Sequence, residues 1–305
     1  MLSSSPTKRN SGFSQKHPFL FGIMLIMATM ILLTGVIVAF RFFSGGQSTA
    51  LDFDGDKLGI VRIEGLLTNA EKINTWMREL RDDDSIKGVI LRVNCPGGAV
   101  APSQEIYHAV IRLAAVKPVV VTMGSVAASG GYYVSAPAQL IMANPSTITG
   151  SIGVIMEMSN VVGLFEKLGI ERQALTSGKL KDAGSPFRTM TPEDRQYLMG
   201  LIGDIHEQFV NDVAKARKID IETLRPFADG RALTGNQALA AGLVDKLGGF
   251  EEAVEELKTL CGLDPKKPMP VVEGPKEDKP WLKQILGAIQ LDIHTDLPQG
   301  GVVIR

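Results

Sequence analysis

The chain has few of the residues from which metal centres and disulfide frameworks are built. Its 305 residues include two cysteines, Cys95 and Cys261, and four histidines. The cysteines have the spacing of neither a zinc site nor a disulfide framework, although a single bridge between them stays open. The histidines are scattered and predict no metal site: His17, His108, His206 and His294. The sequence therefore predicts a protein without a metal or another cofactor.

An excess of charge of either sign is also missing. The chain has 32 lysine and arginine residues against 33 aspartate and glutamate residues, for a formal net charge of −1 at pH 7. Domains that bind nucleic acid usually present a strongly basic surface. We therefore expect no nucleic acid among the partners of this protein.

Charge is absent altogether from residues 19–40. As a helix this segment would be roughly 33 Å long, which is enough to cross the core of a bilayer. Positive charge is heavier before the segment than after it, which places the N-terminus in the cytoplasm. We expect a cytoplasmic tail at 1–18, a single-pass transmembrane anchor at 19–41 and an extracytoplasmic remainder. The alternative is a cleaved signal peptide, with a weak cleavage site at Ser48-Thr-Ala50.

From residue 58 onward, predicted strands alternate with predicted helices. The strands are expected at 59–63, 88–93, 118–122, 139–143 and 171–175. The helices are expected at 70–80, 103–116, 162–168 and 191–218, with shorter ones up to residue 260. Thr191 suits the cap of the last long helix and Pro192 its first position. This alternation predicts an α/β domain with a largely parallel sheet.

The predicted domain spans residues 58–262. A flexible linker at 42–57 precedes it. An extension at 263–305, rich in proline, lysine and glycine, follows it and is expected to be loosely ordered. Within this extension, residues 281–289 are interpreted as a short amphipathic segment that docks on the domain or on the membrane surface.

A serine follows the predicted strand at 118–122, within a run of small residues: Met123-Gly-Ser-Val-Ala-Ala-Ser-Gly-Gly-Tyr-Tyr133. Small side chains let the backbone turn sharply and let another backbone or a substrate come close. At a turn from strand to helix, the serine hydroxyl lies near free backbone N–H groups, as an acyl-transfer nucleophile requires. Ser129 is therefore the candidate nucleophile, unless these small residues serve packing alone.

A glycine pair ends the strand predicted at 88–93, in the turn Pro96-Gly-Gly98. The N–H of Gly98 could act with that of Gly130 as an oxyanion hole. A plain turn between strand and helix is the commoner use of such a pair.

Two residue types are candidates for the general base. Lys181 lies in a polar loop, and a lysine becomes an effective base when desolvation lowers its pKa. Histidine is the other candidate. His108 and His206, however, fall within predicted helices, where we expect them on the helix surface or satisfied in the core. The residues alone leave this choice open.

Four motifs in order resemble those of the bacterial signal peptide peptidase A family. They are Asn94-Cys-Pro-Gly-Gly98, Gly124-Ser-Val-Ala-Ala-Ser-Gly-Gly-Tyr-Tyr133, Thr149-Gly-Ser-Ile-Gly-Val154 and Ser177-Gly-Lys-Leu-Lys-Asp182. Asp229-Gly-Arg231 and Ala241-Gly-Leu-Val-Asp245 fit as well. The resemblance covers about residues 58–260, and the pattern occurs once, as in the short, single-domain form. One position departs from it: Cys95 stands where the family usually has serine, which puts the geometry of that turn in question.

The resemblance implies a crotonase-like fold, which the Clp protease also uses, and a serine–lysine dyad. Ser129 would be the nucleophile and Lys181 the general base, with Ser151 orienting the lysine. Gly98 and Gly130 would be the oxyanion donors. The implied function is that of a serine endopeptidase anchored in the bacterial cytoplasmic (inner) membrane, which degrades cleaved signal peptides.

The resemblance also bears on assembly. In the long form of the family it implies that serine and lysine come from different halves of one chain. A short chain would have to borrow the lysine from a neighbour, which predicts a ring-shaped homo-oligomer with shared sites.

Two other functions are weighed against the peptidase: a crotonase-like acyl-CoA enzyme and an inactive membrane scaffold. An extracytoplasmic domain would find no coenzyme A, and intact Ser129, Lys181 and Ser151 argue against a scaffold.

Overall fold

The computed structural model describes residues 18–43 and 55–275, which fall in two compact units that divide after Asp54. The first unit contains helix α1 (Pro18–Phe43). Within it, Phe19–Val36 is long and apolar enough to cross a membrane, and its side chains are exposed. The anchor predicted at 19–41 therefore falls on a helix. The tail predicted at 1–18 and the linker predicted at 42–57 lie largely outside the described residues.

The second unit is built on an eight-stranded sheet. Its strands are β1 (Lys57–Leu67), β2 (Ile86–Gly98), β3 (Val119–Ala128), β4 (Leu140–Ala143), β5 (Ile148–Gly150), β6 (Ala232–Thr234), β7 (Lys246–Leu247) and β8 (Val271–Gly274). Their order is β6-β5-β3-β2-β1-β8, with β4 beside β3 and β7 beside β4. All of these pairings are parallel except β5–β6. The prediction of a largely parallel α/β sheet is confirmed.

Eight α-helices of the second unit are described. They are α2 (Glu71–Asp82), α3 (Val100–Ala114), α4 (Gly130–Ser135), α5 (Val162–Lys167), α6 (Pro192–Arg217), α7 (Ile221–Leu224), α8 (Gly235–Ala240) and α9 (Phe250–Leu260). A 3-10 turn, Arg225–Phe227, follows α7. Helices α2, α3, α4 and α6 cover one face of the sheet, and α9 covers the other.

The central strands are buried on both faces, because successive side chains of a strand point to opposite sides of a sheet. In β2, Val89 and Leu91 join the core under α2 and α3, whereas Ile90 packs with Leu257 of α9. A run of apolar residues without polar alternation is typical of a parallel strand covered on both sides. These strands form a rigid base for the loops at their carboxyl ends.

Helix α6 begins where the sequence predicts. The hydroxyl of Thr191 accepts from the N–H of Asp194 at 3.1 Å, and the Asp194 carboxylate accepts from the N–H of Thr191 at 2.9 Å. Pro192 occupies the first turn, where its missing N–H costs nothing. The helix ends at Lys218, whose φ of 54° is left-handed. The predicted start and end of this helix are confirmed.

Strand β3 changes neighbours along its length. Val120 to Thr122 pair with β4, whereas Val126 to Ala128 pair with β5. Between these two stretches, the carbonyl of Gly124 accepts a hydrogen bond from the Thr147 hydroxyl at 2.8 Å. The last residues of β3 therefore continue beyond the end of β4. They bring the small-residue turn beside the ends of β2 and β5.

The strand predicted at 171–175 is wrong, and four residues of the predicted C-terminal extension form a strand. Residues 171–175 form no strand and are exposed, so no burial of apolar side chains stabilises an extended segment there. The stretch after Asp264 was expected to be loosely ordered, yet β8 pairs in parallel with β1. The ammonium of Lys258 donates to the carbonyls of Pro265 at 3.0 Å and Lys267 at 2.9 Å, which fixes the approach to that strand. Residues 276–305, with the segment predicted at 281–289, lie outside the described residues.

Candidate active site

Ser129 lies at the junction of β3 and α4 with an unusual backbone. Its φ is 53° and its ψ −120°, a conformation that side chains with a Cβ rarely adopt. Its N–H donates to the carbonyl of Gly150 at 2.8 Å, and its carbonyl accepts from the N–H of Tyr133 at 2.8 Å. Backbone strain of this kind persists where surrounding contacts enforce it, and it is common at active sites. The hydroxyl is held at the carboxyl edge of the sheet, half-buried.

The glycine turn that ends β2 packs directly against this serine. A Cβ added to Gly97 would lie 2.9 Å from the Cβ and 3.2 Å from the Oγ of Ser129. A Cβ added to Gly130 would lie 3.4 Å from the nitrogen of Gly98. The amides of Gly98 and Gly130 therefore lie side by side next to the hydroxyl, as the oxyanion interpretation requires.

Gly98 has no room for a side chain. Its φ is 156°, and an added Cβ would lie 2.3 Å from the carbonyl oxygen of Leu67 in the neighbouring strand β1. Because β1 limits the approach on that side, only glycine keeps its amide at this position.

Ser151 lies beside Ser129, one strand away. Ala128 pairs with Gly150 in the β3–β5 ladder, so the next residue of each strand is a serine at the same edge. Ser151 also has a positive φ, 52°, and its N–H donates to the carbonyl of Arg231 at 2.9 Å. Both serines line one groove.

Two cavities adjoin Ser129. The smaller, about 80 Å³, is mostly apolar and is lined by Gly98, Val100, Ser103, Ser129, Gly130, Tyr133, Gly153, Val154, Ile155, Ile205 and Phe209. The larger is an open groove of about 470 Å³ lined by Ser129, Ser151, Gly153, Val154, Ile155, Met199, Ile202, Gly203, His206, Asp229 and Gly230. Lys181 lines neither; its side chain is exposed, in a turn that follows the irregular segment 171–179. The structure thus brings four of the five predicted site residues together, and Lys181 lies apart from them.

Comparison with known proteins shows which family has this sequence pattern. The pattern of peptidase family S49 matches residues 111–264, and that of Clp protease matches residues 64–149. The chain is 37% identical over 272 residues to a protein of Methanocaldococcus jannaschii provisionally named as a protease, covering 84% of this chain and 86% of that one.

The chain belongs to peptidase family S49. It is also 37% identical over 235 residues to "Protease 4" of Salmonella typhi, covering 75% of this chain and 35% of that one. A protein of Enterococcus faecium, provisionally named as signal peptide peptidase SppA, is 39% identical over 191 residues, 62% of this chain and 56% of that one. The protein is therefore a serine protease with a Clp-protease-like α/β fold, and the predicted family and enzyme class are confirmed. Family membership decides against the acyl-CoA alternative.

The S49 site has an apolar wall that sequence reasoning missed. Helix α6 contributes Ile202, Ile205 and Phe209, which share one side because three or four residues make one helical turn. Tyr107 and Tyr133 hold this helix in place, with Tyr133 stacked on Phe209 at 4.4 Å between ring centroids. The helical spacing was visible in the sequence, but nothing there indicated which side faces the serine.

The two tyrosines also bind Asp212 of α6. The hydroxyl of Tyr107 donates to the Asp212 carbonyl at 3.1 Å, and that of Tyr133 donates to the Asp212 carboxylate. Burial raises the pKa of Tyr107 to about 12 and raises the pKa of Tyr133 as well. Both hydroxyls therefore remain protonated donors at physiological pH, and the wall of the cavity is fixed.

His206 lies where the sequence did not place it. It was expected on the helix surface or satisfied in the core, yet it lines the groove with Ser129 and Ser151. Its Nε2 is buried and has no hydrogen-bond partner among the described residues. His108, in contrast, is exposed on α3 and contacts the ring of Tyr107 edge-on at 5.3 Å.

Cys95 stabilises the glycine turn in place of the family's serine. Its Sγ accepts from the N–H of Gly97 at 3.3 Å and lies 3.5 Å from the Gly97 carbonyl oxygen. Burial raises the pKa of the Cys95 thiol, which therefore stays protonated. Cys95 and Cys261 are both free thiols. The thiol provides the contacts that a serine hydroxyl would make to this turn.

These contacts predict that Cys95→Ser keeps peptide hydrolysis within about threefold of wild type, whereas Cys95→Ala lowers kcat roughly tenfold. The alanine leaves the Gly97 amide unheld next to Gly98, and loss of a full oxyanion donor costs about 10²–10³. Hydrolysis of a chromogenic peptide measures both, with Cys261→Ala as the matched control. Equal activity of the alanine and serine variants, both folded, would show that the thiol does not order the turn.

Proposed function

We propose that this S49 peptidase is a membrane-anchored endopeptidase that hydrolyses released signal peptides with a dyad of Ser129 and Lys181 from two different chains. One observation carries the proposal. Ser129 has a strained turn, paired amides and a substrate groove within its own chain, whereas Lys181 is exposed and outside that groove. We infer that this exposed lysine completes the site of a second copy.

The chemistry follows from these positions. The hydroxyl of Ser129 attacks the peptide carbonyl while the neutral amine of Lys181 accepts its proton. The amides of Gly98 and Gly130 donate to the oxyanion, and the lysine returns the proton to the leaving amine. Water, deprotonated by the same lysine, then hydrolyses the acyl-enzyme. Ser151, beside Ser129, orients the incoming amine of Lys181 through its hydroxyl.

A closed ring is the assembly that satisfies every chain. A head-to-tail contact repeats until it closes, so each chain lends Lys181 to one neighbour and receives it from another. Such a ring also places the sites on its inner wall, which admits extended peptides and excludes folded proteins.

The substrate class follows from the groove and from the relatives. An extended peptide can lie in the groove over the carboxyl ends of β2 and β3, with an apolar side chain in the small cavity of Val100, Ile155 and Phe209. Signal peptides are rich in apolar residues. The Enterococcus faecium relative carries the name of a signal peptide peptidase. Helix α1 would keep the peptidase near these peptides in the bacterial inner membrane.

A dyad shared between chains predicts that two inactive variants restore each other's activity. Ser129→Ala and Lys181→Ala chains should each be inactive, while their mixture regains about a quarter of wild-type activity, because a quarter of the interfaces in a random ring hold both residues. Differently tagged chains, co-expressed and purified through both tags, provide the mixed rings for a peptide assay. If mixed rings form and remain inactive, the dyad is not shared.

His206 is a second candidate base, because it lines the groove of Ser129 and its buried Nε2 has no hydrogen-bond partner among the described residues. The pH profile separates the two. A base must be neutral to accept the proton, and an amine generally loses its proton at higher pH than an imidazole. A lysine base therefore predicts activity that rises further into the alkaline range than a histidine base does. We expect the alkaline rise, and we expect His206→Gln to retain at least about a tenth of wild-type kcat. A plateau near pH 7 that disappears in His206→Gln would assign the base to histidine.

The anchor predicts a topology. Protease added to spheroplasts should digest the domain that begins at Gly55, while a tag on the N-terminus stays protected, because positive charge precedes α1. Immunoblots against both ends report the result. Recovery of a soluble protein that begins near Leu51 would show instead that the apolar segment is removed as a signal peptide.

A further inference from the structure

The loop that carries Lys181 is fastened by an arginine that the mechanism above does not use. Arg188 binds the carboxylate of Asp182, the residue next to Lys181, through two hydrogen bonds. Nε donates to Oδ2 and Nη2 to Oδ1, both at 2.9 Å. This two-point contact fixes the orientation of the carboxylate as well as its distance.

The same guanidinium is fixed to α6. Its Nη2 donates to Oδ1 of Asp194 at 2.9 Å, and its Nη1 donates to Oδ2 of the same carboxylate. Asp194 is 2% exposed and is also bound by Thr191 in the capping box of α6. Hydrogen bonds from Arg188 are the main reason that the pKa of Asp194 and the pKa of Asp182 both lie below their ordinary values. Both carboxylates therefore stay charged at the pH at which a peptidase works.

Other contacts order the backbone of the loop. The N–H of Lys181 donates to the carbonyl of Gly178 at 3.1 Å, and the N–H of Ser185 donates to the carbonyl of Asp182 at 2.9 Å. The ring of Phe187 packs on Phe165 at 5.1 Å between centroids. Lys179 reaches Glu193 of α6 at 3.4 Å, but this ion pair is exposed. The half-buried pair of Asp182 with Arg188 is therefore the stronger tie between the neighbourhood of the lysine and α6.

We propose that Arg188 is a positioning residue for catalysis: it clamps Asp182 to the start of α6 and so presents Lys181 in a fixed place to Ser129 of the neighbouring chain. This inference rests on the proposed function. A base that is displaced by about 1 Å can lose about 10² in rate. Lysine cannot replace Arg188, because a single ammonium cannot bind two carboxylates at two points each.

Mixed rings test the clamp one chain at a time. In a mixture of Ser129→Ala and Lys181→Ala chains, the working site takes Lys181 from the first chain and Ser129 from the second. Arg188→Gln on the lysine-donating chain should lower the regained activity about tenfold or more, whereas on the serine-donating chain it should leave that activity within about twofold. A general loss of stability would act in both positions alike.

Two further variants support this test. Asp182→Ala releases the lysine loop but leaves Arg188 paired with Asp194, so it should repeat the one-sided loss even if Arg188→Gln folds poorly. Arg225→Gln is the matched control, because Arg225 also binds a carboxylate of α6, that of Glu207 at 2.9 Å, but far from the lysine loop. The control should change neither mixture. Equal effects of Arg188→Gln and of Asp182→Ala in the two positions, or none in either, would overturn the clamp.

A failure of the proposed function is recognisable separately. If mixed rings with Arg188 intact regain no activity, the sites are not shared. The clamp is then tested in assemblies of a single variant that keeps both Ser129 and Lys181. There, Arg188→Gln and Arg188→Lys should lower kcat about tenfold with KM unchanged, and should speed hydrogen exchange in residues 178–184. Unchanged kcat in either case, even with faster exchange, would show that the clamp does not serve the reaction.

Discussion

The active site depends on a place where two backbones touch with no side chain between them. At the carboxyl ends of β2 and β3, a Cβ on Gly131 would lie 2.4 Å from the carbonyl oxygen of Cys95, and one on Gly130 would lie 3.3 Å from the Cα of Gly97. This contact forces Ser129 into its left-handed turn and brings the amides of the glycine turn beside its hydroxyl. The strands behind it, buried on both faces, supply the stability that holds such a strained residue.

Most of the fold could be predicted from the sequence wherever a segment carries a local signal for its own structure. The apolar runs of β1, β2 and β3 and the capping box at Thr191 are local signals, and each element formed there. The three residues of β5 and of β6 give no pattern of their own, since only pairing across the sheet defines them. The strand expected at 171–175 failed for the converse reason, because its apolar residues have no sheet edge to join. β8 was hidden by the proline and lysine around it, and it exists because β1 offers it an open edge.

The residues of the candidate site also differ in whether the sequence alone could predict them. Ser129, Gly98 and Gly130 lie in turns whose small residues mark them as candidates, Ser151 was predicted from the family resemblance, and the structure brings all four together. His206 and the apolar wall come from one side of α6, and only the packing of Tyr133 on Phe209 decides which side that is. Lys181 belongs to neither group. In the proposed shared site its role depends on a residue of another chain. The ion pairs of Arg188 could not be predicted from the sequence, because Asp182 and Asp194 carry no local signal of a shared arginine.

Helix α6 contributes to both the lysine clamp and the serine groove, so it sets the distance between them. Its 26 residues begin at the lysine clamp and pass the serine groove at His206, 12 residues after Asp194, a path of about 18 Å at 1.5 Å per residue. In a ring with shared sites, this rigid segment connects each cutting point to the next. About five residues of an extended peptide span the same distance. In such a ring, a peptide held along the inner wall would reach the next active site before its cut end diffused away. The products would then be fragments of a few residues, whose length depends on helix α6 and not on the sequence of the peptide.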